Sequence, residues 1–468
     1  MSETPPIENQ INSSDLDDDG KPKREGTLIT ASAHIITAVI GSGVLSLAWA
    51  VAQMGWIAGP VILLVFAVVT WYASMLQADC YRDPVTGKRN YTYREAVRSI
   101  LGGTKFMFCG LAQYSNFIGV TIGYTITASI SMAAVKRAIC FHKEGHQAGC
   151  HLSNNPFIIT FGAVQLLLCQ IQNFHKLSIL SIIAAITSFG YSFIGIGLSI
   201  AKVAGESHAK TTLTGVQIGV DVTKEQKIWN IFTALGNMAF AYAFSMVLIE
   251  VQDTLGPSPP ENVVMKKAST IGIFITTFFY MLCGVVGYAA FGNAAPGNFL
   301  TGFGFYEPYW LIAIANIFIV VHLVGAYQVF VQPLFEFIES QCATRCPQNK
   351  FINAEYPINL LCGIYNVNLF RLTWRSLYVV VMTVIAMLLP FFTDIVGLLG
   401  AFSFWPLTIF FPIEMYIVQA KIRRFSPKWI GLQILNVSCL IISLLAAVAS
   451  FRGISVSVSK YKLFHSVS

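Results

Sequence analysis

The sequence predicts an all-α protein that crosses a membrane many times, and two observations carry that reading. Of 468 residues, 55% are hydrophobic and only 11% charged, where a soluble globule carries about 25% charged residues. Apolar runs that approach or exceed the ~20 residues needed to span hydrocarbon recur along most of the chain, and the mean hydropathy is +0.62. The net charge of +7 needs no nucleic-acid partner, because basic loops beside a membrane supply it.

The elements follow in order. Residues 1–26, with "SSDLDDDGKPKREG" and no short apolar core, read as a disordered cytosolic tail rather than a signal peptide. Eleven spans are expected. The first five lie at 28–53, 56–80, 105–135, 156–173 and 175–202. The next six lie at 229–251, 266–291, 308–339, 371–389, 394–420 and 428–451. Between spans two and three, "YTYREAVRSILGG" interleaves apolar and basic residues, as a short interfacial helix does.

Lysine and arginine set the orientation. With the N-terminus inside, they are twice as frequent on the cytosolic segments, Lys176 among them, as on the external ones. An odd number of spans then leaves the C-terminus outside. The sequons at Asn12 and Asn90 fall inside and that at Asn436 within a span, so none is usable for glycosylation. Cys140 and Cys150 share one external loop, "CFHKEGHQAGC", where a disulfide is expected and two free thiols are the alternative.

Spans one and six begin alike, with "TAVIGSGVLS" from Thr37 and "TALGNMAFAY" from Thr233. Five spans apart, they cross the membrane in opposite directions, and paired interrupted spans in inverted halves point to a secondary transporter's binding site. Close helix packing is the competing use of Gly41 and Gly43. Packing does not explain a break. An unwound helix offers free carbonyls on one side and free N–H groups on the other, matching the ammonium and carboxylate of an amino acid without a buried charged side chain.

Longer stretches carry a resemblance. "SAHIITAVIGSGVLSLAWAVAQMGWIAGP", "LQADCYRDPVTGKRNYTYREAV", "IGYTITASISMAAVKRAICFH" and "LSILSIIAAITSFGYSFIGIGLSIAK" closely resemble plant amino acid permeases, of the amino acid/auxin permease group. The resemblance runs from about residue 25 to the C-terminus. It implies a leucine-transporter-type fold: a first five-helix repeat over 27–202, an external loop over 203–228, a second repeat over 229–421, and an eleventh helix with an external C-terminus over 422–468. It also implies proton-coupled import of amino acids, neutral and acidic, across the plasma membrane by alternating access. The proton is the coupling ion, and no cofactor or metal is expected.

The expected substrate site is centred on the two breaks: Ile40, Gly41, Ser42, Gly43 and Val44 in span one, and Ala239, Phe240, Ala241 and Tyr242 in span six, with Asn316 adding a polar contact. Phe240 or Tyr242 would close over the substrate side chain. Histidine inside a span is costly to charge, so His34 and His322 suggest an inner cavity or a proton path. In the fold that the resemblance implies, span eight faces the unwound part of span one, where sodium-driven relatives hold their ion; an imidazole at His322 would let a proton replace the metal. A neutral histidine bonded to a carbonyl is the alternative. Glu250, the preferred inner-gate residue, and Asp394 are rival proton carriers, with Asp79, Asp253 and Glu414 nearer the interfaces. No HExxH, phosphate-binding loop or nucleophile elbow is present, so no enzyme is expected. The other readings are a non-transporting amino acid receptor and an auxin-type carrier of indole acids.

Overall fold

In the computed structural model the described residues are 17, 23–145, 149–150, 152–171, 178–205, 209–303, 308–360 and 363–460. Most of the expected tail, the Asn12 sequon, Lys176 and residues 461–468 lie outside them. The apolar helices follow the expected order: nine among the described residues are long and apolar enough to cross a membrane, and two shorter apolar helices, Leu28–Val39 and Asn155–Leu168, accompany them.

Span one starts at Thr27, which caps the helix Leu28–Val39 through a reciprocal pair of bonds with Thr30. The helix then stops. Ile40 leaves helical geometry (φ −75°, ψ 84°), Gly41 is extended, and a tight turn over Ser42–Ser46 leads into the helix that resumes at Leu47. A single residue, Gly55 (φ +78°, ψ −170°), ends span one and opens span two. A Cβ on Gly59 would lie 3.1 Å from the Cα of Val51, whereas residues eight apart on a straight helix stand about 12 Å apart. The chain therefore reverses there. Positive φ and the backbone of Gly215 pressed against it exclude any side chain at Gly55.

Span six runs from Lys224 to Ala241, capped by Thr223 with Gln226, and restarts after Phe244 as a tight turn and a short helix, Leu248–Gln252. It begins earlier than the expected residue 229 because that cap lies upstream of the apolar run. Its break also falls later than expected, at 242–244; Ala239, Phe240 and Ala241 are still helical. Spans three, eight and eleven likewise continue past the apolar stretch, to Glu144, Arg345 and Lys460, on polar and basic residues that hydropathy does not count. Span ten relaxes to a π-helical stretch over Phe404–Phe410, where Pro412 has no N–H to give Thr408. The segment between spans eight and nine contains an antiparallel hairpin, Glu355–Leu360 against Gly363–Asn368.

The ends of the bundle differ. At the N-terminal end, Arg24 donates to Tyr81 (3.0 Å) and Glu261 (3.1 Å) and pairs with Asp17, while Tyr81 donates to Asp253 at 2.6 Å. Arg82 joins Glu261, and Arg89 lies 3.5 Å from Asp253. Asp17 and Arg24, inside the segment read as tail, are thus held against the bundle. At the opposite end the loop from residue 209 crosses the Gly55 reversal: Thr212 and Tyr288 exchange bonds of 2.8 and 3.1 Å, and Trp56 packs on Tyr288. Asp221 in that loop is held below the ordinary carboxylate range by the Gln217 N–H and, after it, by Asn293. Cys140 and Cys150 are disulfide-bonded. The Asn90 and Asn436 amides are engaged with Tyr81 and Trp405.

Candidate functional site

The two breaks meet. A Cβ on Gly43 would lie 2.8 Å from the Cα of Ala241, so spans one and six touch backbone to backbone at that point. Beside the crossing is a cavity of about 220 Å³ lined by His34, Thr37, Ala38 and Gly41 of span one, Ala243, Phe244, Met246, Val247 and Val251 of span six, Tyr124, Ala184, and His322, Gly325, Ala326, Val329 and Phe330 of span eight. A smaller space of about 40 Å³ adjoins it and adds Ser42, Gly43, Asn116, Phe240 and Ala241. The larger volume lies between the roughly 150 Å³ of a benzene-sized cavity and the ~300–1,000 Å³ of drug-sized pockets. It suits a small metabolite. His34 and Ala38 line it and are exposed, so it opens along the N-terminal half of span one.

His322 is buried and held by one ring nitrogen. Its Nδ1 lies 2.9 Å from the Ser188 hydroxyl and 3.3 Å from the Ala184 carbonyl, both of span five. That leaves Nε2 facing the break, 3.9 Å from where a Cβ on Gly41 would sit. Gly41 therefore borders the cavity with room to spare, while Gly43, which also lines the smaller space, is pressed against the Ala241 backbone. The turn that follows Gly41 has no side-chain cap, so its first N–H groups are available to an anion.

Several expected residues stand elsewhere. Ile40 and Val44 are fully buried behind the break, and Ala239 faces the protein interior. Tyr242 does not close over the cavity: its ring packs against Tyr280 and its hydroxyl donates to Thr277 at 3.3 Å. Phe240 is in the smaller space, and Phe244 takes the place expected of Tyr242. Asn316 donates to its own helix at Ile312 and is outside both linings. Asp394 sits directly against Gly453 of span eleven. Glu250 accepts from the N–H of Tyr93, the first residue of the loop helix Tyr93–Leu101, at 3.1 Å, and its other oxygen has no partner among the described residues. The remaining carboxylates are neutralised: Asp79 by Lys266 and Glu414 by Lys105. Cys140, Glu144 and Cys150 come together, but both sulfurs are used in the disulfide.

Three residues escaped the sequence reading. Tyr280 of span seven directs its hydroxyl between the carbonyls of Val39 and Ala241, the last helical residues before the two breaks. Asn116 lines the smaller space with a buried carbonyl oxygen that has no partner among the described residues. Tyr124 lines both spaces. Tyr280 and Tyr124 look like ordinary span aromatics in the sequence. Asn116 carries a signal, an amide in the middle of an apolar run.

Two broken spans crossing at a central cavity define a helical membrane transporter of the leucine-transporter type, with two inverted five-helix repeats and an eleventh helix. A solved structure, "MhsT in complex with L-phenylalanine", matches 92% of this chain and 100% of its own with a TM-score of 0.57 at 10% identity, which shows the fold alone. Residues 24–456 match the family described as "Transmembrane amino acid transporter protein", and the chain belongs to that family. It is 62% identical to amino acid permease 6 of Arabidopsis thaliana, covering 96% of this chain and 94% of that protein. It is 60% identical to amino acid permease 1 of the same plant, covering 97% and 94%. The protein is an amino acid transporter.

Proposed function

We propose that the protein imports neutral and acidic amino acids across the plasma membrane together with a proton, with its N-terminus in the cytosol and its C-terminus outside. The observation that carries the coupling is His322: a titratable ring within a span, with one nitrogen held by span five and the other facing the break in span one. Protonation there would add a charge beside the substrate's carboxylate, so each would strengthen the binding of the other. The cavity lining contains two histidines and, among the described residues, no Asp, Glu, Lys or Arg. It therefore offers no partner to a basic side chain, while neutral and acidic side chains are tolerated. With the N-terminus inside, as the excess of basic residues favours, the cavity opens toward the cytosol. Substrate and proton would be bound at His322 and the break, and released past His34.

Uptake by the reconstituted full chain tests this. A labelled neutral amino acid should accumulate when a proton gradient is imposed and fall to equilibrium when a protonophore is added. Accumulation that ignores the protonophore would refute coupling. Competition by glutamate but not lysine is expected, and stronger competition by an indole acid would shift the reading to an auxin-type carrier. Tags at the two termini should label from opposite sides of intact cells, the C-terminal one from outside.

A further inference from the structure

Span seven carries a cleft that transport leaves unused. It lies at the N-terminal end of the bundle, between Leu28 of span one and Lys266, Lys267, Thr270 and Ile271 of span seven, and has a volume of about 350 Å³. Its two lysines differ. Lys266 is neutralised by Asp79 at 2.7 Å. Lys267 is exposed and makes no ion pair among the described residues, so the cleft holds an uncompensated positive charge. It also lies at the amino end of the twelve-residue helix Leu28–Val39, whose dipole favours an anion.

The depth in the membrane follows from Trp71. Its indole N–H donates to the Thr270 hydroxyl at 3.0 Å, and the side chain is 38% exposed, as tryptophans at the headgroup boundary are. Lys267, about one turn nearer the helix end, then stands among the headgroups. On the other side of Thr270, Ile271, Phe274 and Phe278 are 39%, 76% and 58% exposed, and their spacing puts them on one helix face. Charge at the top and an exposed apolar track below describe the complement of one amphiphile.

We propose that this cleft binds a phospholipid of net negative headgroup, with its phosphate on Lys267 and an acyl chain along Ile271, Phe274 and Phe278. A soluble phosphate would use the lysine and leave the track bare. A zwitterionic lipid would use the track but bring its own cation to the phosphate, leaving the charge of Lys267 uncompensated. An anionic lipid satisfies both. The inference does not depend on which substrate the central cavity takes.

Full-length protein in phosphatidylcholine nanodiscs containing a minor share of phosphatidylserine provides the test, with retained lipids counted by native mass spectrometry. Retained phosphatidylserine should fall about fivefold in Lys267→Ala, the effect of one lysine at a lipid surface, and be kept in Lys267→Arg. Lys88→Ala, which removes an exposed charge from a loop at the same end, should change nothing. Phe274→Ser should weaken retention without altering charge. Equal losses for Lys267→Ala and Lys88→Ala would mean a diffuse surface effect and overturn the site. Inorganic phosphate that displaces the lipid, or retention unaffected by Phe274→Ser, would overturn the lipid assignment. Size-exclusion profiles and the Lys267→Arg result separate loss of the site from loss of the fold.

Discussion

The hydroxyl of Tyr280 donates to the carbonyl of Val39, the last helical residue before the break in span one, and lies 2.9 Å from the carbonyl of Ala241, its counterpart in span six. One phenol has one proton, so it serves one carbonyl at a time and the other must find a different donor. In a buried site an unserved carbonyl is costly. The Val39 carbonyl also accepts from the Gly41 N–H at 2.9 Å, so Tyr280 ties the two half-helices together and is the donor on which the Ala241 carbonyl relies. Tyr280→Phe removes the donor and keeps the ring, and should lower stability by about 1–3 kcal/mol, seen as a lower apparent melting temperature, with weaker amino acid binding. An unchanged melting temperature and affinity would show that the carbonyls are served otherwise.

The two glycines of the break should separate in kind. A methyl at Gly43 meets the Ala241 backbone at 2.8 Å, and neither helix can yield without moving the crossing. Gly43→Ala should cost about 1–3 kcal/mol of stability through overpacking. A methyl at Gly41 meets only His322 Nε2, at an ordinary 3.9 Å. Gly41→Ala should fold and reach the membrane normally but bind substrate at least about tenfold more weakly, because the methyl occupies the cavity edge. Equal loss of stability in both would contradict the division.

How much of this was legible depended on the signal each residue sends. The spans were, because a run of apolar residues is read locally. So was the break in span one, since Gly41, Ser42 and Gly43 interrupt a helix by their own propensities. The break in span six was misplaced by about one turn because Tyr242, Ala243 and Phe244 include no breaker; what marks the place is tertiary, the contacts of Tyr242 with Tyr280 and Thr277. Tyr280 itself was invisible for the same reason. Its hydroxyl matters only because two distant carbonyls converge on it, and no local pattern encodes that convergence.

Glu250 links the second half of span six to the loop helix by accepting from the N–H of Tyr93, whose own hydroxyl donates to Leu407 in the π-helical stretch of span ten at 2.7 Å. Three elements are pinned through one residue, which suits a gate better than a proton carrier, since Glu250 borders neither cavity. Glu250→Ala should orphan the Tyr93 N–H and reduce the melting temperature and uptake together. Glu250→Gln keeps the acceptor and should restore both while retaining proton-driven accumulation. If the Gln variant exchanges substrate but no longer concentrates it, Glu250 belongs to the proton path after all.

The coupling prediction rests on His322. Each proton crossing 100 mV supplies about 2.3 kcal/mol, roughly a forty-fold gradient of a neutral amino acid, and a transporter uses that energy only if proton and substrate bind in a linked way. Nδ1 is anchored to span five by Ser188 and Ala184, while Nε2 faces Gly41. A proton arriving at Nε2 would therefore change the charge beside the break without moving the ring. Glutamine can keep a hydrogen bond to Ser188 but cannot become a cation. His322→Gln should exchange labelled for unlabelled amino acid across a liposome membrane while failing to accumulate it under a proton gradient, and its uptake should lose its rise toward acidic external pH. Ser188→Ala, which removes one of the ring's two contacts with span five and leaves the Ala184 carbonyl, should weaken the pH dependence less. Should His322→Gln still concentrate substrate with normal pH dependence, the proton travels elsewhere, and His34, which lines the same cavity where it opens, is the next residue to replace.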